Sequence, residues 1–73
     1  MGTAISKFHS SFGAKIKELR AKRGMNQEDL AFKIGVDRSY MGFIERGERN
    51  PTLSKIRKIA KVLKVPEKEL LDF

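Results

Sequence analysis

Residues 26–47, NQEDLAFKIGVDRSYMGFIERG, constrain the fold more than any other part of the chain. They are punctuated as two short helices joined by a tight turn. Asn26 is a good N-cap, and Glu28 and Asp29 follow where carboxylates favour the positive end of a helix. Leu30, Ala31 and Ile34 recur at helical spacing. Gly35 can take the left-handed conformation that ends a helix. Val36 is apolar, and Asp37 can cap a second helix that Gly47 ends. Helix, glycine-containing turn, helix is the helix-turn-helix pattern.

The second helix has two faces. At about 100° per residue, Tyr40, Met41 and Ile44 fall on one side and can be buried. Arg38, Ser39, Gly42, Phe43 and Arg46 fall on the other. They offer a long cation, a hydroxyl, a gap, an aromatic ring and a second cation. Such a set suits the major groove of DNA, where Arg pairs with guanine edges and apolar groups meet thymine methyls. The same pattern also describes the solvated face of an ordinary bundle helix, and spacing alone does not choose between the two.

A chain of 73 residues is long enough for one small domain with a thin core. Hydrophobic residues make up 40%, so composition does not indicate disorder. Only two prolines occur, both late, and helix formers dominate, which makes the fold class all-α. The absence of cysteine excludes a disulfide framework and cysteine zinc sites. With one histidine and no cluster of acids, no metal site and no cofactor are expected. No apolar run approaches the ~20 residues of a membrane span, and no signal-peptide core is visible. A cytoplasmic location without a membrane partner is therefore expected.

The net charge is +7, and a small basic domain is drawn to nucleic acid or anionic lipid. The cations are unevenly placed. Residues 1–25 hold six against one acid, residues 26–50 hold four against five, and residues 51–73 hold six against three. A near-neutral centre with basic flanks fits flanks that grip phosphates while the centre reads bases. Simple solubilising lysines would give the same count.

Residues 1–10 read as a flexible polar lead-in to one domain over residues 11–73. Ser10 or Ser11 can cap a first helix over about 11–23, in which Phe12, Ile16 and Leu19 form a core stripe. Lys22 and Arg23 suit its negative end, and Gly24 stops it. The central helices are expected at about 27–34 and 38–46. Pro51 discourages helix at Asn50, and Thr52 can cap a fourth helix over about 53–63. There Leu53, Ile56, Ile59, Ala60 and Leu63 point inward, with Lys55, Arg57, Lys58, Lys61 and Lys64 outward. Val65-Pro66 breaks that helix, and Pro66 can open a fifth over about 67–72. Leu70, Leu71 and Phe73 load this short segment with more apolar surface than one chain can bury. They are expected to form a dimer interface, unless Leu70 completes the core.

The run IKELRAKRGMNQEDLAFKIGVDRSYMGFIERGERNPTLSKIRKIAKVL resembles the Cro/C1-type (lambdoid phage repressor-like, XRE) helix-turn-helix family. The resemblance spans residues 15–71. It is carried by Arg20, Gly24, Gln27, Glu28, Leu30, Ala31, Gly35, Val36, Ile44, Glu45, Gly47, Pro51 and Leu53. DRSYMGFIERGERNPTL is also similar to the controller proteins of restriction–modification systems. Gly42 and Phe43 depart from that narrower pattern, which bears on the operator sequence and not on the fold.

The resemblance implies a five-helix lambda-repressor-like DNA-binding domain with a central helix-turn-helix. Arg38 and Ser39 would meet base edges at the start of the reading helix, with Phe43 one turn further on. Asn26 and Gln27 would bond phosphate on one side, and Arg46, Arg49 and Asn50 on the other. Gln27 would also buttress the reading helix. In similar proteins Arg20 and Glu45 pair beneath it, a structural ion pair rather than a catalytic one. Relatives dimerise through the C-terminal region, which suits a palindromic double-stranded DNA operator.

No catalytic residue is expected. The histidine has no plausible carboxylate or nucleophile beside it, and no Gly-rich loop could cradle a phosphate. The leading expectation is a sequence-specific transcriptional regulator without a small-molecule ligand, and the resemblance to controller proteins implies control of a restriction–modification operon. Its rival is an antitoxin-like or adaptor protein that uses Phe32 and Phe43 on a protein partner. A basic amphipathic module at a membrane surface is a third, weaker reading.

Overall fold

Short amphipathic stripes, three of them opened by a side-chain cap, divide the described chain into helices that expose one face and share one core. In the computed structural model, residues 7–73 are described. They form α1 (Lys7–Lys22), α2 (Gln27–Ile34), α3 (Arg38–Glu45), α4 (Leu53–Leu63) and a 3-10 helix over Glu67–Leu71. No strand occurs among the described residues, so the all-helical fold class holds.

The core is one cluster. Phe12, Ile16 and Leu19 of α1 meet Leu30, Ala31 and Ile34 of α2, Met41 and Ile44 of α3, Ile59, Ala60 and Leu63 of α4, and Leu70. Half-buried Met25, Val36, Tyr40, Ile56, Val62 and Val65 pack against it. Ile16, Leu30, Met41, Ile44, Ile59, Leu63 and Leu70 reach 0% exposure. Each fully buried aliphatic side chain contributes about 1.5–3 kcal/mol.

The backbone differs from the sequence-based expectation at both ends. The first helix starts at Lys7, not near residue 11. Part of the expected lead-in is therefore helical, and residues 1–6 lie outside the described residues. Phe8 stands one turn before Phe12 and extends the α1 stripe, and its ring meets Phe73 at 5.5 Å. The fifth element is a 3-10 helix rather than an α-helix. Pro66, in extended conformation, fixes its start, and five residues are too few for a settled α-helix.

Two apolar residues lie where periodicity did not put them. Leu70, expected at an interface, is wholly buried because the 3-10 helix folds it down between α1 and α4. Leu53 was expected inward and is 84% exposed. It is the first residue after the Thr52 cap, so the turn carrying it overhangs the core.

Two close approaches set the geometry. A Cβ on Gly13 would lie 2.4 Å from the carbonyl oxygens of both Ile44 and Glu45, so only glycine lets α1 cross α3 at this distance. Arg23 donates from Nε to the carbonyl of Leu63 at 2.8 Å, and from Nη2 to that of Lys64 at 3.4 Å. The end of α1 thereby caps the end of α4, whose last carbonyls lack helical partners.

Candidate nucleic-acid interface

The central unit is built by its caps. The Asn26 side chain accepts from the Asp29 N–H at 2.8 Å, and the Asp29 carboxylate accepts from the Asn26 N–H at 3.0 Å. This reciprocal box fixes where α2 begins. Gly35, at φ 76°, ends α2 in the left-handed region, where a side chain would be strained. The Val36 N–H then donates to the Ala31 carbonyl at 2.9 Å. Asp37 starts α3 by accepting from the Ser39 N–H at 3.0 Å.

Beneath α3 lies a polar knot. Arg20 donates from Nε to Glu45 Oε2 at 2.6 Å and from Nη2 to Oε1 at 3.0 Å. Its Nη1 donates to the Met25 carbonyl at 2.8 Å. Gln27 Nε2 donates to Glu45 Oε1 at 3.0 Å. The Glu45 side chain is 2% exposed and that of Arg20 is 12%. No buried side-chain polar atom among the described residues lacks a partner. A buried charge is tolerable only when paired and hydrogen-bonded, and this one is both. α1, α2 and α3 are therefore tied at one carboxylate, with Gln27 braced against the end of α3.

The opposite face of α3 opens into a shallow concavity lined by Gln27, Arg38, Ser39, Gly42, Phe43 and Arg46. The structure thus gathers the three expected base-reading residues with two of the expected phosphate residues. Arg38 and Ser39 are exposed, and their side chains bond no other described residue. Phe43 is half-buried, with the guanidinium of Arg46 5.1 Å and that of Arg49 5.4 Å from its ring centre. Arg46 also donates from Nε to Glu48 Oε1 at 3.1 Å. Asn26, Arg49 and Asn50 are exposed but do not line the concavity. Arg46 is the residue that caps α3, so the helix itself ends at Glu45.

No described helix is long and apolar enough to cross a membrane. No group of three or more metal-ligating side chains gathers among the described residues.

Two capped helices across a glycine turn, with the second presenting a polar face that carries Arg38 and Ser39, define a helix-turn-helix domain. The chain belongs to the helix-turn-helix family HTH_3, which matches residues 16–70. The resemblance to Cro/C1-type regulators is thereby borne out. The chain is 49% identical over 63 residues to the control protein C.BamHI of Bacillus amyloliquefaciens, covering 85% of this chain and 78% of that one. It superposes on the restriction–modification controller C.AhdI of Aeromonas hydrophila with a TM-score of 0.80 and 48% identity, covering 84% and 92% of the two chains. It is also similar to SinR, the master regulator of biofilm formation, solved in complex with DNA. That match has a TM-score of 0.77 and 39% identity, and covers 84% and 98% of the two chains.

Proposed function

We propose that the chain is a sequence-specific double-stranded-DNA-binding transcriptional regulator in which α3 enters the major groove. Arg38, Ser39 and Phe43 meet base edges. Asn26, Gln27, Arg49 and Asn50 bond phosphates and set the register. The observation that carries this reading is the state of Arg38 and Ser39. Both are exposed, with side chains that bond no other described residue, at the N-terminal end of a helix that the Arg20–Glu45–Gln27 knot holds in place. The N-terminal residues of a recognition helix are those that reach base edges, and reading needs that helix fixed to well under the spacing of a base pair.

The regulated genes are those of a restriction–modification system in this reading, and the protein acts from the cytoplasm. Similarity to C.BamHI and C.AhdI over most of both chains supports that narrower assignment. The protein binds a palindromic operator as a homodimer of five-helix, lambda-repressor-like subunits, with the 3-10 helix standing in for the fifth helix. Leu71 and Phe73 form the dimer contact, without Leu70.

Selection from random duplexes followed by gel shift tests the proposal. Recovery of one inverted-repeat consensus is the expected result, and no enrichment of any sequence would sink it. The adaptor reading retains one observation, Phe32 at 85% exposure on α2 outside the concavity. It predicts the same failure to select DNA.

A further inference from the structure

Arg46 is placed for more than a phosphate contact. Side chains on a helix lean back towards its N-terminus, and Arg46 follows that rule to its full length. Its Nη1 lies 3.1 Å from the point where a Cβ on Gly42, one turn back, would stand. Gly42 is buried on the groove side of α3, with this guanidinium above it and Gln27 Oε1 3.7 Å from the same point. The Phe43 ring flanks the guanidinium, and Glu48 takes its Nε. Neither terminal nitrogen bonds another described residue.

These contacts suit a base edge better than a phosphate. A phosphate clamp works through net charge, and the Glu48 carboxylate at 3.1 Å offsets that charge and repels the backbone. A guanine edge is neutral and recognised by geometry, so it is matched by a fork whose Nε is pinned and whose free edge faces the groove. The space also depends on one residue. Any side chain at position 42 would crowd the guanidinium, while the fold around it would barely change, because the atom in the way is the far end of a flexible side chain.

We infer that Arg46 is a second specificity-determining residue, reading a guanine distinct from the one read by Arg38, and that Gly42 is the positioning residue that leaves it room. This rests on the DNA-reading function proposed above.

The test compares wild type with Arg46→Ala, Arg46→Lys and Gly42→Ala by random-duplex selection and by binding to the selected operator and to scrambled DNA across a salt series. Arg46→Ala is expected to weaken operator binding about 10- to 100-fold and scrambled binding less than about threefold, and to erase guanine preference at one position per half-site. Arg46→Lys keeps the charge but not the fork and is expected to leave that preference lost. Gly42→Ala keeps the arginine and is expected to relax the same position while melting no lower than wild type. Equal loss on operator and scrambled DNA by Arg46→Ala, with the salt slope falling by about one, overturns the inference in favour of a phosphate contact. An unchanged consensus in Gly42→Ala overturns the positioning role. A wild type that selects no sequence overturns the DNA reading itself, and this inference with it.

Discussion

Arg20 and Glu45 stand 25 residues apart in sequence and meet by two hydrogen bonds of 2.6 and 3.0 Å beneath the reading helix. Removing Glu45 leaves the Arg20 guanidinium largely buried without its carboxylate. Glu45→Ala is therefore expected to destabilise the fold by about 3 kcal/mol. Arg20→Ala is expected to cost a similar amount, and the double variant well under the sum of the two, with a coupling of about 1–3 kcal/mol. Urea unfolding of the four proteins measures it, and simple additivity would show that the pair is not an energetic unit.

Gly13 and Gly42 make opposite predictions for the same substitution. Alanine is the better helix former by about 1 kcal/mol in a helix interior. At position 42 only a side-chain end stands nearby, so Gly42→Ala is expected to be neutral or slightly stabilising. At position 13 the new methyl would sit 2.4 Å from two backbone carbonyl oxygens, which cannot swing away. Gly13→Ala is expected to destabilise by about 2 kcal/mol despite the propensity gain. Thermal melts of both variants decide this, and a Gly13→Ala protein as stable as wild type would mean that α1 and α3 can separate freely.

Arg38 separates base reading from charge. If it pairs with guanine O6 and N7, Arg38→Ala is expected to cost about 1–3 kcal/mol on the operator and relax one position of each half-site. A phosphate contact would instead weaken operator and scrambled DNA alike and lower the salt slope by about one. Binding to both DNAs between low and moderate salt discriminates, and equal losses would move Arg38 to the backbone set.

Assembly is expected to depend on the C-terminal patch. Leu71 is 52% exposed, Phe73 is 55%, and Phe8, at 55%, lies against Phe73. Sedimentation equilibrium at micromolar concentration is expected to give a dimer for wild type and a monomer for the Leu71→Ser, Phe73→Ser double variant. Both side chains are half exposed in the monomer, so its melting should change little. A wild type that is monomeric both free and on its operator rules the dimer out. Leu70→Ser, by contrast, should unfold the domain, because that side chain belongs to the core.

What the sequence revealed was local. Asn26, Asp37 and Thr52 cap helices where they were expected to, because capping depends on residues only two or three apart. The stripe Phe12, Ile16, Leu19 was legible for the same reason. Contacts across the fold were not. Nothing in the spacing distinguishes Gly13 from any other mid-helix glycine, since its reason lies in α3. Arg23 was read as compensating its own helix, whereas its fork reaches the carbonyls that end α4. Leu53 falls on the same stripe as Ile56 and Ala60, but periodicity cannot say where the neighbouring helices stop. The candidate site divides similarly. Arg38, Ser39 and Phe43 follow from the phase of α3, while the fold of Arg46 over Gly42 depends on rotamers that no pattern encodes.

The carboxylate of Glu45 also removes a hinge. It bonds Arg20 of α1 and Gln27 of α2 from its place at the end of α3, so α3 cannot tilt without breaking several bonds to buried charge. The least costly way to move the recognition surface is then to unfold the whole domain. Amide protons along α3 should exchange at the global unfolding rate rather than through local opening. DNA would meet a surface already set, with little ordering entropy lost by the protein on contact. Beyond the bases its side chains read, discrimination between operators would come from how well each duplex deforms to fit that surface, so operator variants should differ in bend and groove width more than in the conformation of the protein they bind.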